Sequence, residues 1–178
     1  NTFFTYVFND FDPIDGLSEE LKKDFTKYMG YPLRLAPSPD GKARSFADYF
    51  SEDFKKVLNE LGCEAKYLSS WDMYREGKFN KVIKEALDEA NKIQDLYQEV
   101  SGSRKKEIGW YPFQVICPKC SKIGTNKVTG WDGKEVTYSC EKNLVKWAQG
   151  CGYTGKVSPF DGTGKLAWKV DWPAHWKV

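Results

Sequence analysis

The sequence has one histidine, little net charge and no long apolar run. It contains one histidine among 178 residues, which excludes histidine-rich catalysis and most zinc hydrolase designs. The formal net charge is only +2, so any contact with nucleic acid must be local and not a property of the whole surface. No apolar run approaches the roughly 20 residues that a membrane span requires. The composition therefore predicts a globular chain without membrane attachment.

Several catalytic motifs are missing as well. The sequence contains no Walker A loop, no G-x-S-x-G elbow and no H-E-x-x-H zinc motif. The stretch GTGK at 162–165 is too short for a phosphate-binding loop and is predicted to be a turn. The N-terminal segment lacks the basic region and the cleavage site of a signal peptide. Five cysteines, most of them clustered, are typical of a metal site in a reducing compartment, so we expect a cytoplasmic protein.

The first hundred residues alternate between strand and helix patterns. Residues 2–8 form an aromatic and β-branched run, which predicts a strand buried on both faces in a parallel sheet. An amphipathic helix is predicted over residues 45–62, a second strand over 63–70 and one long helix over 79–100. Helices that follow and precede strands in this way are typical of β-α-β units. This part of the chain is therefore assigned to the α/β class.

A polar stretch directly after the first strand has two interpretations. Asn9, Asp10 and Asp12 lie where open α/β sheets place their ligand contacts, beyond the carboxyl end of a strand. The same residues are also typical of an Asx turn, in which a side chain bonds its own backbone. The two interpretations carry equal weight from the sequence alone.

The character of the sequence changes between residues 108 and 160, where strand and turn patterns replace helices. Residues 126–140 are predicted to form a β-hairpin, because β-branched residues flank Asp132 and Gly133, the preferred pair for a type I′ turn. This stretch therefore indicates a small β module that follows the α/β part.

Four cysteines in this module carry the strongest chemical signal of the sequence, and they are Cys117, Cys120, Cys140 and Cys151. Two residues between the first pair let one turn present both sulfurs to a single ion, and the hairpin returns the chain for the later pair. We therefore predict one structural zinc ion in a closed site of four thiolates, with four free thiols as the alternative. Cys63 is distant in sequence and is predicted to be a small buried residue.

Several stretches of the sequence resemble the class I lysyl-tRNA synthetases, the archaeal type of this enzyme family. The matching stretches are FNDFDP, MGYPLRLAPSPDG, SFADYFSEDFKKVLNELG, MYREGKF, CPKC with the later GCGYTGK, and GKLAWKVDWPAHW. The resemblance runs from end to end, and its last stretch is long and specific. It implies an α/β fold that is part of a Rossmann-type class I synthetase catalytic domain, with an inserted small β module of zinc-ribbon type.

The resemblance also implies a division into three parts. Residues 1–107 correspond to part of the Rossmann-type catalytic domain and a helical connective region, residues 108–160 to the zinc-binding β insertion, and residues 161–178 to the return into the catalytic domain. The HIGH-like and KMSKS-like motifs of the family do not occur in this sequence. We therefore expect an internal fragment that holds no catalytic residue and does not activate lysine alone.

The substrates follow from the resemblance. The intact protein is expected to be a monomer that joins L-lysine to tRNA-Lys, with ATP and Mg²⁺ as further requirements. The basic run Arg104, Lys105 and Lys106 is the candidate tRNA contact, although its charge alone favours a solvated linker. Phosphate contacts through this run are expected to weaken steeply with salt.

One departure from the family pattern concerns a second metal. Many relatives carry cysteine and histidine in the turn before the SFADYF-like helix, and a further histidine within that helix. Here the corresponding positions are Lys42, Ala43 and Tyr49, which cannot supply that site. A single metal ion is therefore expected.

A binding function is the alternative to the enzyme. A stand-alone zinc-ribbon module that recognises RNA would use aromatic residues for stacking and basic residues for phosphate. The side chains available for this purpose are Trp131, Trp147, Lys127, Lys142 and Lys146.

Three of the seven tryptophans, Trp168, Trp172 and Trp176, lie in the final stretch LAWKVDWPAHWKV. On composition alone, packing in the core is the favoured role for all three. The resemblance implies instead that Trp168 lines the lysine pocket, while the other two stay structural. The stretch WKVDW is predicted to be extended and to stop at Pro173.

Overall fold

The structure is a computed structural model that describes residues 4–102 and 109–178. Its elements are β1 (Thr5–Phe8), α1 (Glu19–Phe25), α2 (Phe46–Glu60), β2 (Lys66–Ser69), α3 (Ser70–Arg75), α4 (Asn80–Asp88), α5 (Ala90–Ser101), β3 (Phe113–Val115), β4 (Asn126–Trp131), β5 (Val136–Cys140), β6 (Thr154–Val157), β7 (Gly164–Leu166) and α6 (Trp168–Ala174). This mixture confirms the predicted α/β class. Across the described residues, every helix is too short or too polar to cross a bilayer.

The predicted β-α-β unit is present at the start of the described chain. Strands β1 and β2 pair in parallel, with Thr5 opposite Lys66 and Phe8 opposite Ser69, and α2 lies between them in sequence. The Phe54 ring of α2 packs 4.6 Å from the ring of Tyr6 in β1. The expectation that β1 is buried on both faces is wrong, because the described residues give β1 a single neighbouring strand and leave its side chains partly exposed.

Helix α2 begins after Ser45, as its sequence predicts, and ends at Glu60, two residues before the predicted end. The Ser45 side chain accepts a hydrogen bond from the Asp48 amide at 3.1 Å, which satisfies one of the free amides at the helix start. The apolar stripe of the helix is only partly covered, since Phe50, Val57 and Leu61 are exposed. Cys63, the first residue of the predicted second strand, is also exposed. The prediction that its thiol is buried is therefore wrong.

The single long helix predicted over residues 79–100 is two helices. The backbone leaves the helical conformation at Glu89, which separates α4 from α5. At this junction the indole nitrogen of Trp131 donates a hydrogen bond to Asp88 at 2.7 Å. This contact with β4 comes from a distant part of the chain, so helical periodicity could not reveal it.

The β module consists of the antiparallel sheet β4-β5-β6. The predicted hairpin is confirmed, but its turn is longer than the two-residue type I′ turn. The Asp132 carboxylate accepts hydrogen bonds from the amides of Lys134 and Glu135 at 3.0 and 2.8 Å, so four residues connect the strands. The side chain of Asp132 thereby adds to the backbone bond across the turn, in which the Asp132 amide donates to the Glu135 carbonyl at 3.2 Å.

One continuous core joins the β module to the α/β part. Its buried members include Phe11, Tyr74, Phe79 and Ile83 from the first part and Ile123, Val128, Val136 and Tyr138 from the module. The rings of Tyr74 and Phe79 stack with centroids 4.0 Å apart. Strand β7 pairs antiparallel with β3, which returns the last stretch of chain to this core.

The stretch WKVDW is helical and not extended, contrary to the prediction. The Ala167 carbonyl accepts hydrogen bonds from the amides of Val170 and Asp171 at 2.8 and 2.9 Å and so begins α6. Pro173 lies inside this short helix with five helical residues before it, and its missing N–H removes one intrahelical hydrogen bond. The turn predicted at GTGK is confined to its first half, because Gly164 and Lys165 belong to β7.

Candidate metal centre and adjoining cleft

The four cysteines of the β module form one cluster. Their sulfurs all lie within 4.8 Å of one another, and the pairs Cys117–Cys151 and Cys120–Cys140 are each 3.7 Å apart. A tetrahedral ion held by four thiolates at about 2.3 Å places neighbouring sulfurs about 3.8 Å apart. The cluster therefore has the donor set and the spacing to hold a metal ion, as the sequence predicts.

Backbone groups fix the cysteines in this arrangement. The Cys117 amide donates to the Lys122 carbonyl at 2.9 Å, and the Ser121 amide donates to the Cys117 carbonyl at 2.8 Å, which closes a tight turn around the first pair. Of the two cysteines that come later in the sequence, the Cys151 amide donates to the Cys140 sulfur at 3.3 Å. The backbone bonds orient the sulfurs toward a shared centre, and the bond to the Cys140 sulfur lowers the cost of negative charge on that atom.

The acidity of the thiols shows why a cation belongs in this cluster. Burial raises the pKa of Cys117, against amide hydrogen bonds that act to lower it, and burial raises the pKa of Cys120 to about 12. Burial also acts to raise the pKa of Cys151, but hydrogen bonds from the Tyr153 amide and the neighbouring thiols outweigh it and leave the pKa lowered. Without a cation, four thiolates cannot be accommodated together, whereas a bound metal ion replaces their protons.

We expect Gly150→Ala to disturb the cluster. A Cβ atom at residue 150 would lie 2.4 Å from the Glu141 carbonyl oxygen and 2.8 Å from the Cys140 sulfur, and the carbonyl is backbone that cannot move aside. The substitution is expected to cost about 1–3 kcal/mol and to weaken metal binding. Metal titration and denaturant unfolding measure the two effects.

Gly16→Ala is the matched control for this substitution. A Cβ atom at Gly16 meets no heavy atom within 4 Å among the described residues. It should therefore leave metal affinity and stability unchanged. If the two variants have the same metal affinity and the same stability, close packing at residue 150 does not support the cluster.

A cleft of about 870 Å³ lies along β1 and α2 and extends beyond the carboxyl end of β1. Its walls combine aromatic and acidic side chains and include Phe8, Asp12, Asp15, Gln114, Trp147 and Trp168. Trp168 stands at the start of α6 and is 63% exposed. A cleft at this edge of a parallel pair is where α/β proteins bind their ligands.

A buried lysine holds one carboxylate of the cleft. Lys165, only 1% exposed, places its Nζ 2.5 Å from Asp12 Oδ1 and 3.0 Å from Asp171 Oδ2. Burial acts to lower the pKa of Lys165, but the two carboxylates outweigh it and leave the pKa raised, so the ammonium stays charged. One cation between two anions leaves a negative charge, and Asp12 presents it toward the cleft.

The hydroxyl of Tyr74 completes this network. It donates to Asp171 Oδ1 at 2.5 Å and accepts a hydrogen bond from the Leu166 amide at 3.1 Å. Burial and the charge of Asp171 raise the pKa of Tyr74 well above its ordinary value, so the hydroxyl remains a donor. The network thereby links β7, α3 and α6 next to the cleft.

The polar stretch after β1 forms a backbone turn and contributes to the wall of the cleft. The Asp12 amide donates to the Asn9 carbonyl at 3.1 Å, so a turn is present. Asp10 is structural, because it accepts hydrogen bonds from Ser69 and from the Trp71 amide at 2.6 and 2.8 Å. Burial raises the pKa of Asp10. Both carboxylates line the cleft, where Asp10 pairs with Arg34 at 3.6 Å and Asp12 pairs with Lys165 at 2.5 Å.

Three tryptophans for which the sequence predicts a role have surroundings that differ from the prediction. Trp172 and Trp176 are 49% and 91% exposed, so the prediction that they are mainly packing residues is wrong for the described chain. Trp131 bonds Asp88 and packs against the core, which removes it from the RNA-stacking surface of the binding-module alternative. The basic run Arg104, Lys105 and Lys106 lies outside the described residues.

Sequence reasoning missed two residues of this region. The sequence predicts a turn at Lys165, whereas the structure places it between Gly164 and Leu166 in β7, where a buried charge needs a partner. Asp171 lies among tryptophans and is only 2% exposed, and an acidic residue within an apolar run is the available signal for it.

Comparison with known proteins agrees with the resemblance. A family model described as tRNA synthetases class I (K) matches residues 1–178. The chain is 37% identical over 97% of its length to a lysine–tRNA ligase of Methanococcus maripaludis, covering 31% of that protein. It is 35% identical over its whole length to one of Methanosarcina barkeri, covering 32%, and 33% identical over 97% to one of Archaeoglobus fulgidus, covering 33%.

The chain therefore spans about a third of the length of the curated relatives it matches. The family model, by contrast, extends over every residue of the chain, and the stretches quoted above lie throughout it. The family predicted from the sequence is confirmed, and the chain belongs to the class I (K) tRNA synthetases.

Proposed function

We propose that this chain is part of a lysine–tRNA ligase and that its cleft binds the lysine substrate. Family membership and the names of the relatives support the reaction, in which lysine is activated by ATP with Mg²⁺ and transferred to tRNA-Lys. The observation that carries the assignment of the cleft is the exposed indole of Trp168 in a wall that also holds carboxylates.

The chemistry of lysine matches this wall. An indole face shields the alkyl stem of the substrate and attracts its ammonium group, and such a cation–π contact contributes about 0.5–2 kcal/mol. The carboxylates of Asp12 and Asp15 line the same cleft and supply negative charge for an amino acid that carries two ammonium groups. A ligand with an ammonium group at each end of an apolar stem is therefore favoured over neutral or acidic amino acids.

The remaining parts of the proposal concern architecture. Residues 1–107 and 161–178 contribute to a catalytic domain of Rossmann type, and residues 108–160 are its inserted module. Zinc is the ion that best suits four thiolates at this spacing, and a closed site of this kind stabilises the fold. The cytosolic location, the monomeric state and the tRNA contact through Arg104, Lys105 and Lys106 complete the proposal.

The role of Trp168 predicts a specific kinetic change. In the longer protein that contains this chain, Trp168→Ala should lower kcat/KM for lysine by roughly tenfold, mainly through a higher KM for lysine. The KM for ATP and the melting temperature should change little, because the side chain is exposed and not part of the core. Lysine-dependent ATP–pyrophosphate exchange measures these constants.

Trp172→Ala is the matched control, since this neighbouring indole is half exposed and is not among the residues of the cleft wall. It should leave the lysine constants unchanged. If Trp168→Ala and Trp172→Ala have the same kinetics as the parent protein, the cleft is not the lysine site.

A further inference from the structure

A second tryptophan reaches the cleft from the metal-binding module. Trp147 lies in the ten residues between Cys140 and Cys151, and it lines the same cleft as Trp168. Its ring rests on the backbone of Gly124, where a Cβ atom would lie 2.2 Å from the indole Cη2. The ring therefore occupies a defined place against the module, and only a glycine leaves room for it there.

The segment that carries Trp147, residues 141–150, consists of turns and bends. Its position depends on a few contacts near its two ends, and at the amino end the Glu141 amide donates to the Thr125 carbonyl at 2.8 Å. The Lys122 ammonium donates to the Gln149 carbonyl at 2.9 Å, the Gly150 amide donates to the Glu141 carbonyl at 3.0 Å, and Ala148 is buried. A segment without its own regular structure keeps little order once its ends are released.

Both ends of this segment are cysteines of the cluster. A metal ion bound to Cys140 and Cys151 closes the segment into a loop and removes most of the freedom of its backbone. The sulfurs of Cys117 and Cys120 tie the same ion to the turn that precedes Gly124. The ion therefore fixes the two surfaces between which the Trp147 ring is held.

We propose that Trp147 is a positioning and specificity residue of the substrate cleft and that the metal-bound loop holds its indole in the cleft wall. The proposal rests on the assignment of this cleft to lysine. It gives the metal centre a second consequence besides stability, because the release of the ion also releases one aromatic wall of the cleft. The alkyl stem of the substrate then loses part of the surface that shields it from water.

The test is calorimetric titration of the longer protein with L-lysine. Trp147→Ala should raise the Kd for lysine by roughly fivefold, while Trp147→Phe keeps an aromatic ring and should change it by less than about twofold. Trp172→Ala should leave the Kd unchanged, since it removes an indole outside the cleft. The Kd for ATP should stay constant in all three variants.

The coupling to the metal is tested by removing the ion with a chelator. The expected result is a rise in the Kd for lysine equal to that of Trp147→Ala, with no further rise when the chelator is added to Trp147→Ala. Lys122→Ala, which loosens the loop through Gln149 and keeps every metal ligand, should raise the Kd by about twofold in the metal-loaded protein. This variant decides the question if the metal-free protein unfolds.

The outcomes separate this proposal from the assignment of the cleft. If Trp168→Ala weakens lysine binding and Trp147→Ala does not, the role of Trp147 is wrong and the lysine cleft stands. If neither variant alters the Kd, both proposals are wrong. A third outcome would separate the loop from the metal. In that outcome Trp147→Ala weakens lysine binding, Lys122→Ala does not, and the chelator raises the Kd for lysine equally in Trp147→Ala and in the parent protein. The metal then does not act on the cleft through the loop.

Discussion

Cys140→Ser is expected to abolish metal binding and to destabilise the chain by more than about 3 kcal/mol. Cys140 is fully buried at the end of β5. Its sulfur is within hydrogen-bonding distance of the Cys151 amide and the Thr125 hydroxyl, each at 3.3 Å. The substitution removes one of four ligands from a module whose strands are only four to six residues long. Small β modules of this kind depend on the metal for much of their stability.

Metal content by mass spectrometry and unfolding in denaturant are the measurements. The parent chain should hold about one zinc ion per molecule, and a chelator should reproduce the loss of stability caused by Cys140→Ser. Cys63→Ser is the matched control, because this cysteine is exposed and outside the cluster. If Cys140→Ser keeps its metal, or unfolds like Cys63→Ser, the cluster is a group of free thiols.

The features that sequence analysis predicted correctly are those whose signal is local. The stripe and the capping serine of α2, the parallel pair on either side of it and the hairpin of the β module all follow from spacings of a few residues. The cysteine cluster follows from the same kind of evidence, because a turn with two residues between thiols has few other uses. These patterns constrain the backbone before any tertiary contact forms.

The features that were missed depend on partners far apart in the chain. Lys165 pairs with Asp12, 153 residues away, and neither residue type indicates the other. The break between α4 and α5 coincides with the bond from Trp131 to Asp88. The helix α6 replaces the predicted extended segment where Asp171 is held by Tyr74 and Lys165. Each of these features involves a polar contact between residues far apart in the chain, which local spacing does not encode.

The largest effect outside the metal centre is expected for Lys165→Met. This substitution keeps the volume of the side chain but leaves Asp12 and Asp171 facing each other without a cation. Asp171 is 2% exposed and cannot recover its lost partner from water, so the cost should be about 3–5 kcal/mol. Because Asp12 also loses its anchor, the lysine Kd of the longer protein should rise in the same variant.

Lys177→Met is the matched control, since Lys177 pairs at 2.9 Å with Glu85 on an exposed surface. Its cost should be within about 0.5 kcal/mol in denaturant unfolding. A second variant, Lys165→Met with Asp171→Asn, removes one charge of each sign and should recover part of the loss. If Lys165→Met is as stable as Lys177→Met, the buried charges do not hold the cleft wall.

The pH dependence of this network has a definite sign. The pKa of Lys165 is raised in the folded chain by its two carboxylate partners, so its contribution to stability is complete below the ordinary lysine pKa and is lost as the pH rises through the folded value. The parent chain should therefore lose stability in strongly alkaline solution, and Lys165→Met should lack that part of the loss. Unfolding free energies measured from neutral to alkaline pH distinguish the two, and parallel curves would show that the lysine is not charge-paired in the folded state.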